Sequence, residues 1–154
     1  MERRARKMVS RMEELMPLIR ESLEAGQSVR FFPRGVSMLP MLRQDVDSVV
    51  LSPITGELKK YDIPLYQRDN GQYVLHRIID VGTAYTCRGD NQFIPEPGLR
   101  RDQMIGVVTA FYRGDRLIPV ESARYRFYCR FWYYTRPLHG FLRRVRQKLR
   151  RLIR

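Results

Sequence analysis

Asp69-Asn70-Gly71 stands between two apolar runs, Asp62 to Gln67 and Tyr73 to Val81. An Asn-Gly pair at that spacing suits a tight primed turn, so the segment is predicted to fold as a β-hairpin and not as a helix. Its surroundings keep the same habit. Val29 to Phe32 and Asp47 to Leu51 read as short strands, and Pro53-Ile54-Thr55-Gly56 turns the chain after the second. Pro64 lacks an N–H, which confines the strand of Asp62 to Gln67 to a sheet edge or a bulge. Thr83 to Arg88 pairs back on Tyr73 to Val81 through a turn at Gly82. A loop rich in Pro and Gly runs from Gly89 to Gly98, and Met104 to Tyr112 forms a last hairpin with Arg116 to Val120. About seven short strands at this spacing predict a mainly β protein, a compact antiparallel β domain over residues 28–120.

Both ends change period. Met8, Met12, Leu15, Met16, Ile19 and Leu23 recur at helical spacing and Gly26 supplies a stop, so residues 1–27 form an N-terminal helix that Pro17 kinks or restarts. Residues 121–154 form a basic, aromatic tail. Phe127, Tyr128, Phe131, Trp132, Tyr133 and Tyr134 cluster between arginines. From Pro137 onward Leu138, Phe141, Leu142, Val145, Leu149, Leu152 and Ile153 fall along one face of a helix whose other face is Arg and Lys.

The net charge of +13 lies at these ends: the tail holds 11 basic residues against one acid, and residues 1–11 hold five against one, so the middle is nearly neutral. Such ends attract anionic surfaces. A basic amphipathic helix behind an aromatic belt resembles an interfacial membrane anchor. A helix docked on its own domain and a nucleic-acid contact are the competing readings, the last the weaker.

At 154 residues the chain has room for one domain with its own core. No window approaches the roughly 18 apolar residues of a membrane span, and no apolar export segment follows the first residues. Cys87 and Cys129, 42 residues apart in unlike contexts, point to a reducing compartment, hence a cytoplasmic protein, peripheral at the membrane's inner face if the tail binds lipid. His76, Cys87, Cys129 and His139 lack the close pairing of a zinc site, so no metal or cofactor is expected.

Chemistry concentrates in two stretches. Arg34-Gly35-Val36-Ser37-Met38-Leu39-Pro40 sets a serine between a glycine and two apolar residues that stop at a proline, which suits a turn presenting a hydroxyl. Tyr73 to Asp80 is an apolar run interrupted by His76. A serine attacks a carbonyl only if a base within roughly 3 Å takes its proton. Of the two histidines, only His76 lies inside a strand-like segment, so Ser37 and His76 are expected to meet.

Three segments then match one family in one order. Gly35-Val36-Ser37-Met38-Leu39-Pro40 resembles the nucleophile box of the signal peptidase I and repressor-autoprotease clan, the S24 and S26 serine peptidases. Val74-Leu75-His76-Arg77-Ile78-Ile79 is similar to the base segment of its archaeal and endoplasmic-reticulum branch, where histidine replaces lysine. Arg88-Gly89-Asp90-Asn91 resembles the Gly-Asp-Asn box that follows, and the likeness continues through Ile105-Gly106-Val107-Val108. Small bacterial S24/S26 family chains with a basic tail share this arrangement.

The resemblance implies a signal peptidase/LexA-like β fold and a serine endopeptidase acting on a peptide or protein substrate; the alternative is a non-catalytic basic β module that binds an anionic membrane surface or nucleic acid. Ser37 would be the nucleophile, His76 the general base, and Asp90 the carboxylate that orients the imidazole. The Ser37 N–H would donate to the oxyanion, a contact typically worth about 3 kcal/mol of barrier. Gly35 and Met38 shape that turn. Gly35 stands where many signal peptidases carry a serine that assists the oxyanion hole. Glu96 stands where the endoplasmic-reticulum branch has a second aspartate, so either Asp90 or Glu96 is the carboxylate partner of His76. An autocleaving repressor fits less well: 27 residues are too few for a helix-turn-helix domain, and that branch uses lysine as its base.

Overall fold

The structure, a computed structural model, describes the backbone of residues 2–152 and the side chains of residues 12–138. It is mainly β, with two antiparallel sheets and two helices. Residues 1–119 and 120–154 are separate compact units.

In the first unit, helix α1 (Glu2–Glu24) runs through Pro17 as one helix. It buries Met16, Ile19 and Leu23, which recur on one face, while Leu15 stays largely exposed. The side chain of Met8, expected on that face, lies outside the described residues. The helix closes at Gly26 in a Schellman arrangement, Gln27 N–H donating to Ser22 C=O at 2.9 Å and Gly26 N–H to Leu23 C=O at 3.0 Å.

The strands that follow are β1 (Val29–Phe31), β2 (Asp47–Ser52), β3 (Pro64–Gln67), β4 (Tyr73–Leu75), β5 (Arg77–Val81), β6 (Tyr85–Arg88), β7 (Glu96–Leu99), β8 (Met104–Arg113) and β9 (Arg116–Pro119). The first sheet has the order β1-β2-β8-β3-β4, with β9 also paired to β8; the second is β5-β6-β7. The ten residues of β8 form the spine. On one side they pair with β2, and on the other with β3 and then β9. Leu58, Tyr66, Val74, Ile78, Cys87, Leu99 and Met104 form a buried cluster drawn from both sheets, so the two sheets share a core.

Two local expectations change, and a third, that Pro64 marks an edge or a bulge, narrows to the bulge. Tyr73 to Val81 is two strands: His76 belongs to neither sheet and marks the point where the chain leaves the first for the second. Bonds between Ile78 N–H and Asp62 C=O and between Tyr61 N–H and Ile78 C=O, both 2.8 Å, tie the start of β5 to the approach to β3 and hold that corner. The strand carrying Pro64 is not at an edge, since β3 lies between β8 and β4; Pro64 is tolerated as its first residue, beside a register shift at Leu65/Tyr66. The Pro- and Gly-rich loop contains β7, which pairs with β6.

The second unit is dominated by helix α2 (Ala123–Leu152), one helix that passes through Pro137 instead of starting there. Ser122 opens it, its Oγ accepting from Tyr125 N–H at 3.4 Å. The face expected for Phe141 to Ile153, and the side chain of His139, lie outside the described residues. Among the described residues no helix is long and apolar enough to cross a membrane.

Candidate active site

Ser37 sits in the turns between β1 and β2. Gly35, with φ of 95°, takes a left-handed conformation that a side chain would oppose, and its N–H donates to Gln44 Oε1 at 3.0 Å. Buried Met38, Met41 and Leu42 anchor the loop from below. This apolar pinning is why a stretch with little regular structure still has a defined place for its hydroxyl.

The Gly89-Asp90-Asn91 segment is the other half of that mount. Asn91 N–H donates to Ser37 C=O at 2.8 Å, and Asn91 Nδ2 donates to Val36 C=O at 3.1 Å. A Cβ on Gly89 would lie 2.6 Å from the Ser37 carbonyl oxygen and 3.1 Å from its Cβ, so only glycine lets the two segments close to this distance.

Ser37 and His76 line the same cavity, of about 240 Å³, together with Gly35, Met38, Arg68 and the whole of β4. Among the described residues no hydrogen bond joins the Ser37 hydroxyl to the imidazole; such contacts often tighten only when substrate binds. His76 is 4% exposed. Burial, reinforced by the Arg68 charge and opposed by Glu96 and Asp90, lowers its pKa to about 4, so the ring is neutral at neutral pH.

The two carboxylates left open by the sequence occupy different positions. Asp90 is buried and accepts two bonds from Arg77, Nε to Oδ1 and Nη2 to Oδ2, each 2.8 Å. Arg77 also donates from Nη1 to the carbonyl of Tyr61, whose φ of 81° is rare for an aromatic residue, and from Nη2 to Met41 Sδ. Asp90 thereby ties the β6–β7 loop to the residue after His76. Arg77, next to His76 in the chain, is the buried partner in that pair.

Glu96 is the carboxylate joined to His76, through Tyr66. The Tyr66 hydroxyl lies 3.3 Å from His76 Nδ1 and donates to Glu96 Oε2 at 2.8 Å. Arg68 holds the same carboxylate with Nε to Oε1 at 2.7 Å and Nη2 to Oε2 at 2.6 Å. A hydroxyl has one proton, and a carboxylate can only accept. With that proton committed to Glu96, the Tyr66 oxygen accepts from Nδ1–H, and the lone pair of the ring is left on Nε2. The Arg68 bonds, helped by Tyr66, hold the Glu96 carboxyl below the usual range, and burial with the Glu96 bond pushes the Tyr66 phenol well up.

Sequence reasoning did not single out Tyr66 or Arg68. Tyr66 faces inward from β3 and is fully buried, which in a sequence looks like any core aromatic; its place ten residues before His76, across the Asn70-Gly71 hairpin, was the available signal. Cys87 is a core residue whose thiol burial pushes up to about 12, far from a reactive thiolate. Among the described residues no three His, Cys, Asp or Glu side chains gather as metal ligands.

Comparison of the chain with protein-family models, with curated proteins and with solved structures finds no match. The likeness to S24/S26 peptidases therefore rests on the three boxes and their order.

Proposed function

We propose that this protein is a serine endopeptidase of the S24/S26 kind, with a signal peptidase/LexA-like β fold, in which Ser37 is the nucleophile and His76 the base. The observation that carries the reading is the shared cavity: a serine on a glycine-backed turn and a buried neutral imidazole, its Nδ1 occupied by Tyr66, open into the same space. In the reaction, Ser37 Oγ attacks the peptide carbonyl while its proton passes to His76 Nε2. The imidazolium then gives that proton to the leaving amine, and water attacks the resulting ester with the same base. The Ser37 N–H would steady the oxyanion. Tyr66 and Glu96 keep the ring in the Nδ1–H form and offset the positive charge it acquires.

The substrate is a peptide in extended form. β4 is the last strand of its sheet, and Tyr73, Val74 and Leu75 line the cavity, so an added strand would run its backbone past Ser37. The test is incubation with a peptide library and mass-spectrometric reading of new termini. The wild type should cut, and Ser37→Ala, melting as the wild type does, should lose about 10³-fold or more of the rate. Cleavage that persists in the variant, or a wild type that cuts nothing, rejects the reading.

A further inference from the structure

Helix α2 carries two unlike faces. Tyr125, Cys129 and Arg136 are buried on one. On the other, Phe127, Phe131, Tyr134 and Leu138 are 71%, 52%, 71% and 57% exposed. Those four follow each other at intervals of four, three and four, which at about 100° per residue gathers them within an arc of about 60°. The rings of Phe127 and Phe131 stack at 6.2 Å, making the exposed patch continuous. Because the helix does not restart at Pro137, positions 141, 145, 149 and 152, where the sequence has Phe, Val, Leu and Leu, keep the same spacing along it.

We infer that this stripe lies on an anionic bilayer surface, with its aromatic and aliphatic side chains entering the headgroup boundary and its arginines on the lipid phosphates. Four large apolar side chains exposed side by side call for a partner. Charge selects it. The unit holds 11 basic residues against Glu121, and Arg124, Arg126 and Arg130 stand exposed beside the stripe. A second copy of the helix would bring like charges together. A nucleic acid would take the guanidinium groups and leave the apolar stripe in water. An anionic membrane accepts both, since aromatic residues favour the interface and Arg the phosphate.

The experiment is vesicle co-sedimentation of the full chain. Affinity for vesicles with about 30% phosphatidylglycerol in phosphatidylcholine should exceed that for phosphatidylcholine alone by about 100-fold. It should weaken by about tenfold or more in high salt. Phe127→Ser/Phe131→Ser/Leu138→Ser should lower it by about 100-fold at unchanged circular dichroism and melting, because these exposed side chains support no core. Arg124→Gln/Arg126→Gln/Arg130→Gln should remove most of the lipid preference. The inference fails if the apolar variant binds as well as the wild type, if phosphatidylglycerol confers no advantage, if ultracentrifugation finds a dimer that the apolar variant dissolves while vesicles are ignored, or if duplex DNA is bound more tightly than the vesicles. None of these readouts depends on peptidase activity.

Discussion

Two ion pairs flank His76, and they do opposite things. Arg77–Asp90 is sealed, with side chains 4% and 3% exposed, and its two parallel bonds use both carboxylate oxygens. Arg68–Glu96 is the more open pair, at 30% and 26%, and shares one of its oxygens with the Tyr66 hydroxyl that meets the imidazole. The aspartate that stands in the recognisable box is thus part of the frame, while the glutamate beyond it is wired to the ring. A carboxylate near a base in sequence order is a weak guide to which one addresses it; the guanidinium competing for each decides.

The sharpest way to break this contrast is Asp90→Ala. Removing one partner of a sealed pair strands a buried charge, so urea unfolding should show a loss of about 3–5 kcal/mol. An Arg77→Met/Asp90→Leu double variant should recover much of it. A loss below 1 kcal/mol for the single variant, by the same scale, would show that the pair is not part of the frame.

Acid comes next. The folded-state pKa of His76, about 4, lies below its unfolded value of 6.5, so the unfolded chain binds the extra proton first. Stability should therefore fall as pH drops from 6.5 to about 4 and level off below, by on the order of 3 kcal/mol in all. His76→Gln should flatten that part of the profile, and peptide cleavage should keep its neutral base down to the same low pH. Arg68→Met removes a charge that holds the pKa down, so the acid loss of stability should level off at a higher pH and be smaller, and the cleavage profile should move to higher pH.

Gly89→Ala tests the mount of the serine. With its Cβ 2.6 Å from the Ser37 oxygen, the turn must move, at about 1–3 kcal/mol of stability and with loss of cleavage. Gly71→Ala, whose added Cβ meets nothing but whose φ of 86° is strained, should cost stability without touching activity. Tyr66→Phe has the smallest expected cost, about 1 kcal/mol, because Glu96 keeps Arg68. Its signature is in the ring: imidazole nitrogen-15 shifts should report a mixed tautomer, and kcat should fall with KM unchanged. An unaltered tautomer would cut Tyr66 out of the relay.

Much of the β body was legible because its signals are local. Asn70-Gly71 makes its hairpin, with Arg68 N–H bonded to Gln72 C=O, and the run from Ser48 to Leu51, with β-branched Val49 and Val50, lies in β2. What was not legible depended on distant partners. β7 hides among prolines and glycines and exists because β6 pairs with it. The break at His76 is imposed by the Asp62 and Tyr61 backbone, which takes Ile78 out of line with β4. Pro137 was read as the start of a helical segment, yet α2 runs through it from Ala123, while Pro17, read as a kink or restart, lies inside α1. At the site, Ser37 and His76 were visible as chemistry against a turn and an apolar run. The roles of Tyr66 and Arg68 were not, since a buried tyrosine and a half-buried arginine carry no mark of what they touch.

The bond from Asn91 to the Ser37 carbonyl spans more than fifty residues of chain, and Gly89 must close on the same loop from that distance. The shape of the Ser37 turn therefore depends on a segment that the second sheet carries. A chain folded only as far as β2 lacks the partner of this turn, so the conformation around Ser37 is a property of the span from residue 37 to residue 91 and not of its own loop.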